Sequence, residues 1–142
     1  MIRPCDKCGT QNRIPVRHLS DRGTCGHCHA ILAPLSTPLD VSPKDFDAIV
    51  AEARVPVLVD FWAAWCGPCR VAAPEVKKVA SSLSGKALVL KVDTEAHPSL
   101  AARFGVQGIP NFVVLRKGAV VAQRAGVMRE VELAQLVASG RG

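Results

Sequence analysis

No run of apolar residues in this chain approaches the roughly 18 that a membrane-spanning helix needs. The longest, "VPVLVDFWAAW" at 55–65, is interrupted by Asp60. The opening "MIRPCDKCGT" is not followed by the apolar stretch of about 7–15 residues that marks a secretory leader. A cytoplasmic protein that does not enter membranes is expected. Structural disulfides are rare in that compartment, so the six cysteines point to metal binding or redox catalysis. There is no G-x-G-x-x-G and no P-loop, so no nucleotide site and no bound organic cofactor is read. Residues 1–32 contain no Phe, Trp or Tyr on which a base could stack, which argues against nucleic acid as a partner.

The charge does not restore that partner. The formal net charge is +6, and residues 1–36 contribute five cations (Arg3, Lys7, Arg13, Arg17, Arg22) against Asp6 and Asp21. Four thiolates around one divalent ion would carry about −2 and nearly cancel this local excess.

The 142 residues, 49% of them hydrophobic, suffice for one domain of about 100 residues plus a smaller piece. All six cysteines fall in C-x-x-C pairs: Cys5/Cys8, Cys25/Cys28 and Cys66/Cys69. Residues 1–32 hold two pairs and little periodic apolar pattern. "APLSTP" at 33–38 reads as a linker, and residues 39–142 read as a body with its own core.

The first two pairs have 16 residues between Cys8 and Cys25, inside the zinc window of about 15–20. A two-residue gap lets both sulfurs of a tight turn reach one ion at about 2.3 Å. Gly9 and Gly26 suit such knuckles because the backbone there needs unusual dihedrals. Four sulfurs close the coordination shell, so one zinc on Cys5, Cys8, Cys25 and Cys28 is expected, structural or, since zinc-bound thiolates can be oxidised, redox-sensitive; a pair of disulfides or free thiols is the alternative. The metal would stabilise a segment too short to bury a core. "CGHC" at 25–28 is also a redox tetrapeptide in some disulfide-exchange proteins. Here no buried strand feeds it and no amphipathic helix follows. His27 and His29 read as bystanders, and His18 has no partner pattern.

The body alternates elements. "LDV" is a short strand. "SPKDFDAIVAEA" begins a helix, with Ser42 as N-cap, Pro43 in the first turn and Phe46, Ile49, Val50 and Ala53 on one face. "VPVLVDFWA" is a buried strand, "CGPCRVAAPEVKKVASSLSG" a helix, and "ALVLKVD" another strand. A short helix runs from Pro98 to Gly105. A hairpin turns at Lys117-Gly118, and a last helix turns Leu133, Leu136 and Val137 inward. The expected class is α/β: a mixed sheet with helices on both faces.

Cys66 falls where a buried strand becomes a helix. Free N–H groups and the positive helix end favour thiolate there. Cys69, three residues on, can close a ring with it. Pro68 suits the first helical turn, and Gly67 admits another chain closely. Asp60 in "VLVDFW" is costly to bury unless it is hydrogen-bonded structure or part of the chemistry. Trp62 is either core or site, and Arg116-Lys117 a solvated turn.

"VDFWAAWCGPC" resembles the active-site segment of the thioredoxin family. Pro74, Lys91, "GIP" at 108–110 and Gly126 extend the resemblance over residues 39–140. With the cysteine-rich head, the chain is similar to the thioredoxin-2 type, which carries an N-terminal zinc module. The resemblance implies a thioredoxin fold behind a small zinc-ribbon-like module. It implies Cys66 as attacking thiol and Cys69 as resolving thiol. Asp60 would manage the Cys69 proton, and Lys91 would tune Asp60. Pro110 would be cis and face the dithiol. Trp65, Gly67, Pro68, Ile109 and Pro110 would form the substrate groove. It also implies protein disulfides as substrates, an NADPH-dependent thioredoxin reductase as partner, a reducing poise and a monomer. Asn111 departs from the family, where Thr usually follows this proline. A reading of another class makes the chain a zinc-ribbon protein that binds nucleic acid or protein, with the body as scaffold.

Overall fold

The computed structural model describes residues 1–139. The last three residues of the body expected to reach 142 lie outside the described residues. The head is more regular than its sequence suggests. Strands β1 (Ile2–Pro4) and β2 (Gln11–Arg13) form one antiparallel hairpin, and β3 (Gly23–Thr24) and β4 (Ile31–Leu32) form another. Each C-x-x-C pair is the turn of its hairpin. Strands of two or three residues are too short for a period-two pattern to be legible.

The body follows as β5 (Leu39–Asp40), α1 (Pro43–Glu52), β6 (Val57–Trp62), α2 (Gly67–Ser82), β7 (Leu88–Asp93), α3 (Pro98–Arg103), β8 (Asn111–Arg116), β9 (Ala119–Ala125) and α4 (Glu130–Ser139). Ser42 caps α1, its Oγ accepting the Asp45 N–H at 3.2 Å. Lys117 and Gly118 both take positive φ, 52° and 79°, as a two-residue hairpin turn requires. The sheet order is β5-β7-β6-β8-β9. The first three strands are parallel, and β8 and β9 add antiparallel pairs.

Alternation along the strands sorts the two layers. Val57, Val59 and Phe61 of β6 join Leu88, Leu90 and Val92 of β7 against α1 and α3, through Phe46, Ile49 and Leu100. Leu58 and Val89 face the other way, toward Ala72, Val76 and Val79 of α2 and Leu133 and Val137 of α4. Leu136 is half-buried beside them. Asp60 and Lys91 share the parity of Leu58 and Val89, so both fall on the α2 side.

The N-terminal segment completes the first layer. Leu19, 1% exposed, sits within the α1/α3 core, and Ile14, Val16 and Leu35 pack against the same cluster. The Leu35 N–H donates to the Leu19 carbonyl at 2.9 Å. The Ser84 hydroxyl donates to the Pro34 carbonyl at 3.2 Å, and Arg54 lies 3.6 Å from the Asp21 carboxylate. Leu19→Ala is therefore expected to destabilise the body by about 2–5 kcal/mol, as buried leucine truncations do. Urea denaturation followed by tryptophan fluorescence checks this, since Trp62 and Trp65 both lie in the body. An unchanged midpoint would mean that the segment only rests on the surface.

Candidate active site and metal centre

Strand β6 delivers the chain to the N-terminus of α2, where Cys66 is the N-cap and its Sγ accepts the Cys69 N–H at 3.1 Å. Cys66 and Cys69 are joined as a disulfide with their Cα atoms 5.2 Å apart. The Cys66 Sγ lies 3.7 Å from the Ile109 carbonyl oxygen. Ile109-Pro110 is a cis peptide, as the resemblance implies. Ala63 and the two cysteines form a small buried cluster against which Trp62 and Ile109 pack. Trp65, Gly67 and Pro68 are exposed around it. Trp65 is 67% exposed, and its indole N–H donates to Glu95 Oε1 at 2.8 Å. A Cβ placed on Gly67 would meet open space, so room for another chain lies over this turn.

Behind the disulfide, three charges cross the sheet in one row. Asp60 is paired in register with Lys91, and Lys91 with Asp40 on β5. Asp60 is 2% exposed, and its Oδ1 has no partner among the described residues. Burial pushes its carboxyl up to about 7; Lys91 pulls it down and Asp40 adds to the rise. The Lys91 Nζ stands 4.8 Å from the Trp62 ring centroid, a cation–π distance. Trp62, Cys69, Arg70 and Lys91 line one cavity of about 310 Å³. A wider groove of about 750 Å³ along α2 shares Arg70, Ala73 and Lys91 with it. The cavity thus brings Cys69 and Lys91 to one space on the Asp60 side of the sheet. Asp40 carries no motif, and strand parity places it there only once the β5–β7 pairing is known.

In the head, all four cysteine sulfurs lie within 4.8 Å of one another. Cys5 and Cys28 are 3.6 Å apart and Cys8 and Cys25 3.7 Å apart, sulfur to sulfur. A tetrahedron with metal–sulfur bonds of about 2.3 Å has edges of about 3.8 Å, so the cluster fits zinc. No histidine belongs to it. His18 instead pairs with Asp21 at 2.8 Å.

The two knuckles are built alike. Gly9 N–H donates to Cys5 O at 2.8 Å, and His29 N–H donates to Cys25 O at 3.0 Å. The left-handed residue of each is the one after its second cysteine: Gly9 at φ 76° and His29 at φ 62°. Gly26 is not that residue, contrary to expectation. It occupies the position of Asp6, and its N–H donates to Asn12 Oδ1 at 3.0 Å.

Asn12 also donates to Cys25 Sγ, at 3.6 Å, and the Thr10 hydroxyl lies 3.1 Å from Cys8 Sγ. These two supports carried no sequence signal. The Cys25 thiol is lowered to about 5, first by the Cys28 N–H and then by that of His27. Cys28 is pushed up to about 11; the Ala30 N–H lowers it, but burial and the three neighbouring sulfurs raise it more. A divalent cation removes that conflict by favouring thiolate at every position.

A family model described as Thioredoxin matches residues 37–139. Thioredoxin C-3 of Corynebacterium nephridii is 40% identical over 135 residues, covering 95% of this chain and 92% of that protein. A match of that length includes the head. Thioredoxin of Haemophilus influenzae is 34% identical over 103 residues, covering 72% of this chain and 96% of its own. Among solved structures, a point-mutant thioredoxin from Halobacterium salinarum superposes with a TM-score of 0.70 at 32% identity, covering 78% of this chain and 96% of that one.

Proposed function

Since this chain belongs to the thioredoxin family and is a thiol-disulfide oxidoreductase, we propose that it works as a reductant of protein disulfides. The carrying observation is the Cys66 sulfur at the start of α2, bonded to Cys69 and bordered by exposed Trp65. In the reduced protein, the Cys66 thiolate attacks one sulfur of a target disulfide. The target S–S bond breaks, its second sulfur leaves as a thiolate and takes a proton, and Cys66 is joined to the target. Cys69 then gives its proton to Asp60 through water in the adjoining cavity and attacks the Cys66 sulfur. The mixed disulfide breaks, the target's remaining sulfur leaves and takes up a proton, and the Cys66–Cys69 disulfide remains. Two electrons have passed to the target. An NADPH-dependent thioredoxin reductase returns them.

Lys91 sets the basicity of Asp60, and Trp65, Gly67, Pro68, Ile109 and Pro110 receive the target chain. In this reading the protein acts as a monomer in the cytoplasm, where reducing conditions keep four head cysteines available as zinc ligands. Cys5, Cys8, Cys25 and Cys28 would hold one zinc, whose closed shell is structural. Residues 1–32 form that module, 33–38 the connection, and the body begins at 39, with Leu19 of the module reaching into the core of the body.

Insulin-disulfide reduction driven by NADPH and thioredoxin reductase tests the reading, with metal measured on the same sample. Turnover and one zinc per chain are expected. Four Cys→Ser changes in the head should abolish the zinc. Absence of insulin reduction would overturn the proposed activity, and a metal-free preparation with an ordered head would overturn the proposed zinc.

A further inference from the structure

Asn111 stands directly after Pro110, at the first position of β8, and is 6% exposed. A buried amide is costly unless its groups are bonded, and here both ends are. Its Nδ2 donates to the Gly108 carbonyl at 3.3 Å, and its Oδ1 accepts from Gln123 Nε2 at 3.2 Å. Gln123 lies on the exposed strand β9, and the same Nε2 donates to the Phe104 carbonyl at 2.9 Å. Phe104 is the C-cap of α3, where carbonyls lack helical partners. The side-chain chain Phe104–Gln123–Asn111–Gly108 thus spans both ends of residues 105–110 and ties them to the sheet edge.

Ile109 lies within that span, with its carbonyl 3.7 Å from the Cys66 sulfur. Across a planar trans peptide the C=O and N–H point in opposite directions. Fixing the Gly108 carbonyl therefore fixes the Ile109 N–H, which has no backbone partner among the described residues.

We propose that Asn111 and Gln123 are positioning residues that hold the Gly108-Ile109 backbone as a preset edge for an extended polypeptide, favouring protein disulfides over small ones. This rests on the reading of Cys66 as the attacking thiol. A polypeptide target uses the edge and gains from its being preset, because ordering it on binding would cost affinity. A small aromatic disulfide reaches the Cys66 sulfur without it.

The test compares Asn111→Ala, Gln123→Ala and the double variant on two substrates, insulin and 5,5′-dithiobis(2-nitrobenzoate). For insulin, KM should rise about three- to tenfold, the scale of one lost hydrogen bond, with kcat nearly unchanged. Reduction of the small disulfide should stay within about twofold of the parent protein in the same comparison. The double variant should be no worse than Asn111→Ala, because the two residues act as one brace. Gln123→Ala alters only an exposed side chain, so it remains informative if Asn111→Ala folds poorly. An unchanged insulin KM in Gln123→Ala, or an equal loss on both substrates, would overturn the brace. Failure of the underlying reading looks different: the parent protein itself would not reduce insulin.

Discussion

Cys69→Ser is expected to accumulate as a covalent complex with its target, while Cys66→Ser loses turnover altogether. The two cysteines are chemically alike, and the fold separates them. Cys66 caps α2 and its sulfur accepts a backbone N–H, a setting that favours thiolate in the reduced protein. Cys69 lies inside the first turn, faces the cavity it shares with Lys91, and touches Cys66. Without Cys66, no thiolate at the helix end can attack. Without Cys69, attack proceeds, but a serine hydroxyl cannot displace the target sulfur. Mixing Cys69→Ser with insulin should give a band on a non-reducing gel that dithiothreitol dissolves, and mass spectrometry should place the bond at Cys66. Normal product release by Cys69→Ser would sink the two-thiol mechanism.

Most of the body was legible because its signals are local and repeat. Ser42 with Pro43 marked a helix start, Lys117-Gly118 a hairpin turn, and continuous apolar runs the central strands. Strand parity also puts Asp60 and Lys91 together once the parallel pairing is known. The clustering of Cys5, Cys8, Cys25 and Cys28 was legible from spacing alone. What escaped depends on contacts between distant residues. Leu19 sits in a segment without periodicity, and only the folded chain shows that it fills the α1/α3 core. Asn12 supports Cys25 across 13 positions, and no motif connects them. The left-handed residue of the second knuckle is His29. Glycine preference pointed to Gly26, but the hairpin geometry selects the residue after the second cysteine whatever its type. Asn111 was visible as a departure, whereas its tie to Gln123 needed the β8–β9 register.

Asp60→Asn is expected to make the protein more stable above neutral pH and slower at releasing its target. The carboxyl goes from an ordinary 3.8 to about 7 in the folded protein, chiefly through burial, with Lys91 opposing and Asp40 adding to the rise. Below the unfolded value both states hold the proton, and the contribution to stability is full. As pH rises toward 7, the unfolded chain gives up its proton first, so stability is lost across this interval. At about 1.4 kcal/mol per unit, the loss is on the order of 4 kcal/mol. Asparagine carries no such charge, so the variant should lack this loss between pH 5 and 8 and exceed the parent protein by a few kcal/mol at pH 8. The same burial suits proton transfer near neutrality, because an acceptor is most effective when its pKa lies near the working pH. In the parent protein, decay of the mixed disulfide should accelerate as pH rises through about 7. The variant should lose that limb and resolve about 10²-fold more slowly, the lower end of general-base contributions. The first attack by Cys66 should hardly change, since its sulfur is stabilised by the helix start. Rapid-quench measurement of the two steps, with urea denaturation at pH 5.5 and 8, reads both effects. Equal slowing of both steps would remove the proton-transfer role of Asp60, and unchanged stability at pH 8 would show that its carboxylate carries no burial cost.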